Sequence, residues 1–283
     1  MITANWREWV SSDAWQAAGR GVLPAPPRAF NEFFWLASEN DIDARRLIRL
    51  VAQDPVFTIR ILRLANVAAF APAGEVTSIE VAVVRLGTRA VRNAVLAACL
   101  SAWGQSVDAY GRRGLEEIQH AVGTACAARR IAERLRLVTD DAFVHGLLHD
   151  VGKLFLLKMR SEYLRLGGRP PAAEEFESVM ADLHAEVGAT ALQLWGLPEP
   201  VRAAVRWHHE PLNPAAADSR AAAIVYVADQ LSHRYGFGCP PSEERPAIQD
   251  DPVCLTLGLQ NGWLERFDED ALNLSLSARQ LVS

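Results

Sequence analysis

The sequence has little cysteine and no paired cysteine motif. Its four cysteines, Cys99, Cys126, Cys239 and Cys254, are widely spaced, and none forms a Cys-x-x-Cys. That spacing excludes a zinc ribbon or a dithiol exchange site and reads as reduced cytosolic thiols. No apolar run reaches the ~18 residues of a membrane span. The first twenty residues lack the basic-then-apolar order of a secretory leader, so a cytoplasmic setting is expected. Positive charge is not in excess either. A formal net charge of −5 supplies no global basic field to recruit nucleic acid or an anionic membrane. Alternation of apolar and polar residues over a useful length is also missing, which excludes a sheet and leaves an all-α class.

What is present is apolar residues in quantity and histidines in unusual places. The 283 residues are 50% hydrophobic, enough to core one large or two modest domains. Residues 3–18 place Trp6, Trp9, Val10 and Ala17 at helical intervals, with Trp15 off that face. Pro24, Pro26 and Pro27 hold an extended entry. Helical patterns then run to Trp103, with apolar clusters at Phe30, Phe33, Phe34 and Leu36, at Leu47, Ile48, Leu50 and Val51, and at Phe57, Ile59, Ile61, Leu62 and Leu64. Thr77 and Glu80 read as a capping box, Gly87 as a helix stop, and Thr88 as the next cap. Arg85, Arg89 and Arg92 in this hairpin read as a solvated face. A DNA-binding helix-turn-helix over residues 78–103 is the disfavoured alternative.

Gly104 to Gly114 is polar and is the expected connection between two lobes. Beyond it the pattern predicts helices over Leu115–Leu135, around His149 with Thr139 or Asp140 as its cap, over Glu174–Leu194, from Pro198 to His208-His209, and over Ala221–His233. The expected organisation is an N-terminal helix (1–22), a first helical lobe (23–104), a second (105–236), and a helical extension (237–283) packed on the second lobe through Leu255, Leu257, Leu259, Trp263, Leu264, Leu272 and Leu274.

The chemistry centres on His145 to Lys153, reading His-Gly-Leu-Leu-His-Asp-Val-Gly-Lys. His149 and Asp150 stand together in an apolar run, and a buried carboxylate is costly unless paired or bound to a metal. Partners are available in His120, His184, His208, His209 and Asp229, each in an apolar helical segment, so five of the seven histidines fall in one series. Any one of them alone reads first as a hydrogen-bonded core residue. Glu116, four residues before His120, shares its helix face. His145 and His233 are left as ordinary core or helix-end histidines.

These residues resemble a known pattern. His120, His149-Asp150 and Asp229 look like the ligand set of the HD superfamily of metal-dependent phosphohydrolases. With His184, His208, His209, Glu116 and Lys153 the series is similar to the two-metal HD-GYP phosphodiesterases. After Trp207-His208-His209-Glu210 the chain continues Pro211-Leu212-Asn213-Pro214 without the Gly-Tyr-Pro signature, so a cyclic-dinucleotide substrate is not implied. Leu-Pro-Ala-Pro-Pro at 23–27, Ala-Gln-Asp-Pro at 52–55, Arg-Ile-Leu-Arg-Leu-Ala-Asn at 60–66, Thr-Ser-Ile-Glu at 77–80, Val-Arg-Leu-Gly at 84–87 and Trp-Gly-Leu-Pro at 195–198 resemble the HDOD domain of bacterial regulators, over about Val22 to Gly236.

The resemblance implies two helical lobes, the second like the HD core, and a regulatory role exercised through a protein partner or a small phosphorylated ligand. It implies a divalent metal, manganese, iron or zinc, as one or two ions, with Asp150 bridging, His120, His149 and Asp229 around one ion and His184 and His208 around the other. His209 and Glu116 are either ligands or residues that orient ligands. A metal-dependent phosphohydrolase is the alternative, in which Lys153 meets a phosphate and Asp150 serves the chemistry. Lys153 reads equally well as a solvent-facing lysine.

Overall fold

The computed structural model describes residues 5–11, 28–36, 43–66, 74–105, 111–213, 215–216, 219–236, 248, 251–259, 262–263 and 267. They form α1 (Trp6–Ser11), α2 (Arg28–Leu36), α3 (Ala44–Ala52), α4 (Pro55–Ala65), α5 (Ile79–Leu86), α6 (Thr88–Gln105), α7 (Gly111–Arg134), α8 (Thr139–Leu148), α9 (Val151–Arg165), α10 (Ala173–Leu194), α11 (Glu199–Trp207), α12 (Ser219–Tyr235) and α13 (Pro252–Thr256). No strand occurs among them. The all-α class follows from the 3.6-residue apolar period and from local stop signals. Asp54 caps α4 by accepting the Val56 amide while Pro55 takes the first helical turn. Gly87, at φ 84°, ends α5 where a side chain would be strained.

Several local expectations are corrected. The cap of α5 is Ser78, whose hydroxyl accepts the Val81 amide, and not Thr77. The N-cap of α8 is Val138 with no side-chain bond, so Thr139 and Asp140 lie inside the helix. Ile59 is exposed, because α4 turns it away from the face that carries Phe57 and Ile61. Gly111 to Gly114 belong to α7 and are not a loop. Trp15, Ala17, Pro24, Pro26, Pro27, Cys239, Leu264, Leu272 and Leu274 lie outside the described residues.

Of the three arginines of the α5–α6 hairpin, Arg89 is exposed as expected, whereas Arg85 and Arg92 are drawn into the fold. Arg92 is buried, with Nε and Nη2 donating to Asn93 Oδ1. Arg85 donates to the Gly74 carbonyl at 2.8 Å. Asn66, at the end of α4, brackets Val76 by donating to its carbonyl and accepting its amide. The polar residues here hold Gly74 and Val76 in place.

One buried apolar cluster runs from Trp6 through α2–α6 to Ile118, Leu148, Phe155, Leu192 and Val205, so the first helices and α7–α11 share a core. Aromatic contacts stitch the junction. Phe155 meets Trp195 edge-on at 5.2 Å, and Trp195 meets Phe30 at 6.0 Å. A second cluster joins α7 and α12 to Val253, Cys254, Leu257, Leu259, Trp263 and Phe267, so the described part of the C-terminal segment packs beside α12. Between these two clusters, α7, α8, α10, α11 and α12 converge on one polar centre.

Candidate metal centre

The His149-Asp150 pair does not sit within a continuous helix. His149 is the C-cap of α8 and Asp150 the N-cap of α9. The break turns both side chains inward, and Asp150 faces α7 on one side and α10 and α11 on the other. Two glycines make this approach possible. A Cβ on Gly152 would lie 1.8 Å from the carbonyl oxygen of His184. A Cβ on Gly146 would lie 2.8 Å from the Cα of Ala125. Gly152 therefore lets α10 deliver His184 to Asp150, and Gly146 lets α8 lie against the His120 helix.

The seven residues expected as metal ligands come together. On one side Asp150 Oδ2 is 3.2 Å from His149 Nε2 and 3.7 Å from His120 Nε2, and His120 Nε2 lies 2.9 Å from Asp229 Oδ1. On the other, Asp150 Oδ1 is 3.2 Å from His184 Nε2 and 3.6 Å from His208 Nε2. His209 Nε2 is 2.9 Å from His184 Nε2. His120, His149, Asp150, His184, His208 and Asp229 are buried, whereas His209 reaches solvent.

The tautomers follow from the backbone. Nδ1 of His149 faces the Gly146 carbonyl at 2.8 Å, Nδ1 of His184 faces the Met180 carbonyl at 2.7 Å, and Nδ1 of His208 faces the Val205 carbonyl at 2.6 Å. A carbonyl only accepts, so each Nδ1 carries the hydrogen. In the neutral rings the three Nε2 atoms are left with lone pairs directed at Asp150 and at one another. His184 and His208 Nε2 lie 3.3 Å apart. Lone pairs facing a carboxylate repel unless a proton or a metal cation stands among them, and orienting Nδ1–H onto a carbonyl is how metal-binding histidines are held. His149 Nε2 and Asp150 Oδ1 also have no hydrogen-bond partner despite burial, at a position where an unsatisfied polar atom is costly. The donor set fits a divalent cation of the manganese, iron or zinc kind, with imidazole nitrogen and carboxylate oxygen mixed.

The electrostatics are consistent with such a site. Burial alone would raise the Asp150 and Asp229 pKa values. For Asp150, the charges of His149 and Lys153 outweigh burial, and for Asp229 the imidazoles of His120, His149 and His233 around it do so; both carboxyls are held well below the usual range. Burial depresses His208. It also depresses His209, helped by the neighbouring imidazoles. Lys153 is partly buried, with 20% of its side chain exposed. Its Nζ lies 2.5 Å from Asp150 Oδ2 and 3.6 Å from Glu117 Oε2, and these carboxylates outweigh burial and raise its pKa.

Two residues differ from expectation. Glu116 points outward and pairs with Arg112 at 2.8 Å; its neighbour Glu117, three residues before His120, faces Lys153 instead. His233 was set aside, yet its Nε2 is 3.3 Å from Asp229 Oδ1. Its spacing, four residues after Asp229 on one helix, was the signal available in the sequence. His145, also buried, belongs to none of the clusters with metal-ligand spacing among the described residues.

An open cleft of about 680 Å³ leads to the centre, lined by Lys153, His184, His209, Arg113, Arg206 and Trp207 among others. No helix among the described residues is long and apolar enough to cross a membrane.

Comparison with known proteins agrees with this picture. The family described as HDOD domain matches residues 23–211. An uncharacterized protein of Treponema pallidum is 27% identical over 79% of this chain, which spans 44% of that relative's length. Among solved structures, an HDOD domain protein from Geobacter sulfurreducens superposes with a TM-score of 0.72 at 21% identity, over 94% of this chain and 96% of that one. A protein from Shewanella amazonensis described as a candidate metal-dependent phosphohydrolase superposes with a TM-score of 0.68 at 14% identity, over 96% and 98%. At these identities the structural likeness shows a shared fold.

Proposed function

This chain belongs to the HDOD family, and on that premise we propose that it is a signal-transduction module whose centre binds one or two divalent metal ions and, through them, a small phosphorylated ligand. The observation that carries the reading is the convergence of three Nδ1-protonated histidines, lone pairs inward, on one buried carboxylate at the end of an open cleft. His120, His149, Asp150 and Asp229 would hold one ion and Asp150, His184, His208 and His209 the other. Bound ions would polarise a phosphoryl oxygen and lower the pKa of water. Lys153, its ammonium tethered between Asp150 and Glu117, would present a positive charge to a phosphate entering the cleft.

The route outward is mechanical. His208 caps α11, α11 follows Trp195, and Trp195 packs on Phe30 of α2 and Phe155 of α9. Ligand-dependent shifts of α10 and α11 would therefore press on α2–α6, the surface we assign to a protein partner. The buried, unpaired thiols of Cys99, Cys126 and Cys254 support a reducing, cytoplasmic setting.

A phosphohydrolase is the second reading, supported by the completeness of the donor set with Lys153 beside it. One experiment separates the two. The protein, purified without a metal-affinity tag, is loaded with manganese, and its metal content, its binding of inorganic phosphate and its turnover of a chromogenic phosphodiester are measured. The module reading expects one to two equivalents of metal and phosphate binding weakened about tenfold or more by Lys153→Met, without turnover. Turnover abolished by Asp150→Asn moves the assignment to the enzyme. Absence of metal at saturating manganese overturns both.

A further inference from the structure

Asp229 Oδ1 is approached by three imidazole nitrogens, Nε2 of His120 at 2.9 Å, of His233 at 3.3 Å and of His149 at 3.7 Å. Only the first two lie within hydrogen-bond reach, and the oxygen can accept from both, yet the buried His149 nitrogen, which has no hydrogen-bond partner, faces the same oxygen. Convergence of this kind suits a cation shared by the nitrogens and the carboxylate. His233 lies one helical turn after Asp229 on α12, so both side chains leave the same face. Its ring lies 4.5 Å from that of His120, tilted by 43°. His120, Asp229 and His233 each present one ligand atom, all within 4.8 Å of one another.

Resting on the metal reading above, we propose that His233 is a further ligand of the ion on the His120 side, so that the two ions are held unequally. That side then offers His120, His149, Asp229, His233 and a share of Asp150. The other offers His184, His208, His209 and a share of Asp150. On a six-coordinate ion such as manganese, the first set leaves one position and the second leaves two. The inequality matches the surroundings. His184 and His209 line the cleft with Lys153, whereas His120, Asp229 and His233 do not. The His120-side ion is the tightly held, structural one, and the His184-side ion is the exchangeable one that meets the ligand.

The test is a manganese titration of the full chain after chelator treatment, followed by chelator competition, with the bound ion counted by its electron paramagnetic resonance. The wild-type chain should bind in two steps of different affinity. His233→Ala should weaken the tighter step by about 10- to 100-fold and spare the weaker one, while His209→Ala should do the reverse. His233→Gln, which keeps the side-chain bulk, should follow His233→Ala and guards against a folding defect, checked by circular dichroism. Two steps in which both His233 variants titrate as wild type overturn the role of His233 and leave the metal reading standing. A wild-type chain that binds no manganese overturns both.

Discussion

Gly152→Ala is the substitution whose consequence is most directly set by the packing at the centre. The added Cβ would lie 1.8 Å from the His184 carbonyl oxygen, 2.7 Å from its carbon and 2.8 Å from the Gly188 amide nitrogen. All three are backbone atoms, so no side chain can yield. Restoring ordinary contact requires α9 and α10 to part by about 1.5 Å. Overpacking of this kind costs about 1–3 kcal/mol, with lost contacts along the two buried faces adding to it. Alanine recovers about 1 kcal/mol in helix propensity. A net loss of about 2 kcal/mol corresponds to a fall in Tm of about 3–4 °C in a chain of this size. The same displacement carries His184 Nε2 away from Asp150 Oδ1, now 3.2 Å away, and should weaken manganese binding on that side about 10- to 100-fold. Gly188→Ala is the comparison. Its Cβ would meet the Val205 side chain at 3.0 Å and the Gly152 amide at 3.1 Å, so a few tenths of an ångström suffice, and its Tm should change by much less. Thermal unfolding and manganese titration of both variants decide the matter. A Gly152→Ala protein as stable as wild type, with unchanged metal uptake, would refute the close-approach argument.

Two further outcomes follow from the centre and its support. Burial alone would lower the His149 pKa, but the carboxylates of Asp150 and Asp229 outweigh it and raise the value from 6.5 to about 9. The imidazolium therefore contributes stability that is fully present below pH 6.5 and is lost as pH rises through about 9. A metal has to displace that same proton, so manganese affinity should climb across this window and level off above it; an affinity flat with pH would count against His149 as a ligand. Phe155→Ala, which empties a fully buried ring against Trp195, should cost about 3–5 kcal/mol in urea unfolding, and a loss under about 1 kcal/mol would show that this aromatic junction does not hold α2 to α9.

The residues of the centre were legible because their types are out of place. A histidine or aspartate in an apolar helical pattern carries a desolvation cost that must be compensated somewhere, and His120, His149, Asp150, His184, His208, His209 and Asp229 stand out for that reason wherever they lie in three dimensions. The all-α class was legible for a similarly local reason, since the apolar period and stops such as Asp54-Pro55 and Gly87 act within one turn of chain. What local pattern leaves open is which of two adjacent faces meets a neighbour. Glu116 and Glu117 differ by about 100° around α7, and only the position of Lys153 on α9 makes Glu117 the inward one. His233 is an ordinary helix-end histidine until α7 brings His120 against α12. Arg92 has the composition of a surface residue, and the packing of α6 buries it.

Sequence alone thus determined the helical class, the chemical identity of the side chains at the centre and the grouping of the chain with the HDOD family, because these depend on residue type and short-range order. Tertiary structure alone decided the break at His149-Asp150, the glycine-permitted contacts of Gly146 and Gly152, and the inclusion of Glu117 and His233, because each depends on how closely two helices distant in sequence approach. That distance is set by the volume of every side chain between them, and no single stretch of chain contains it.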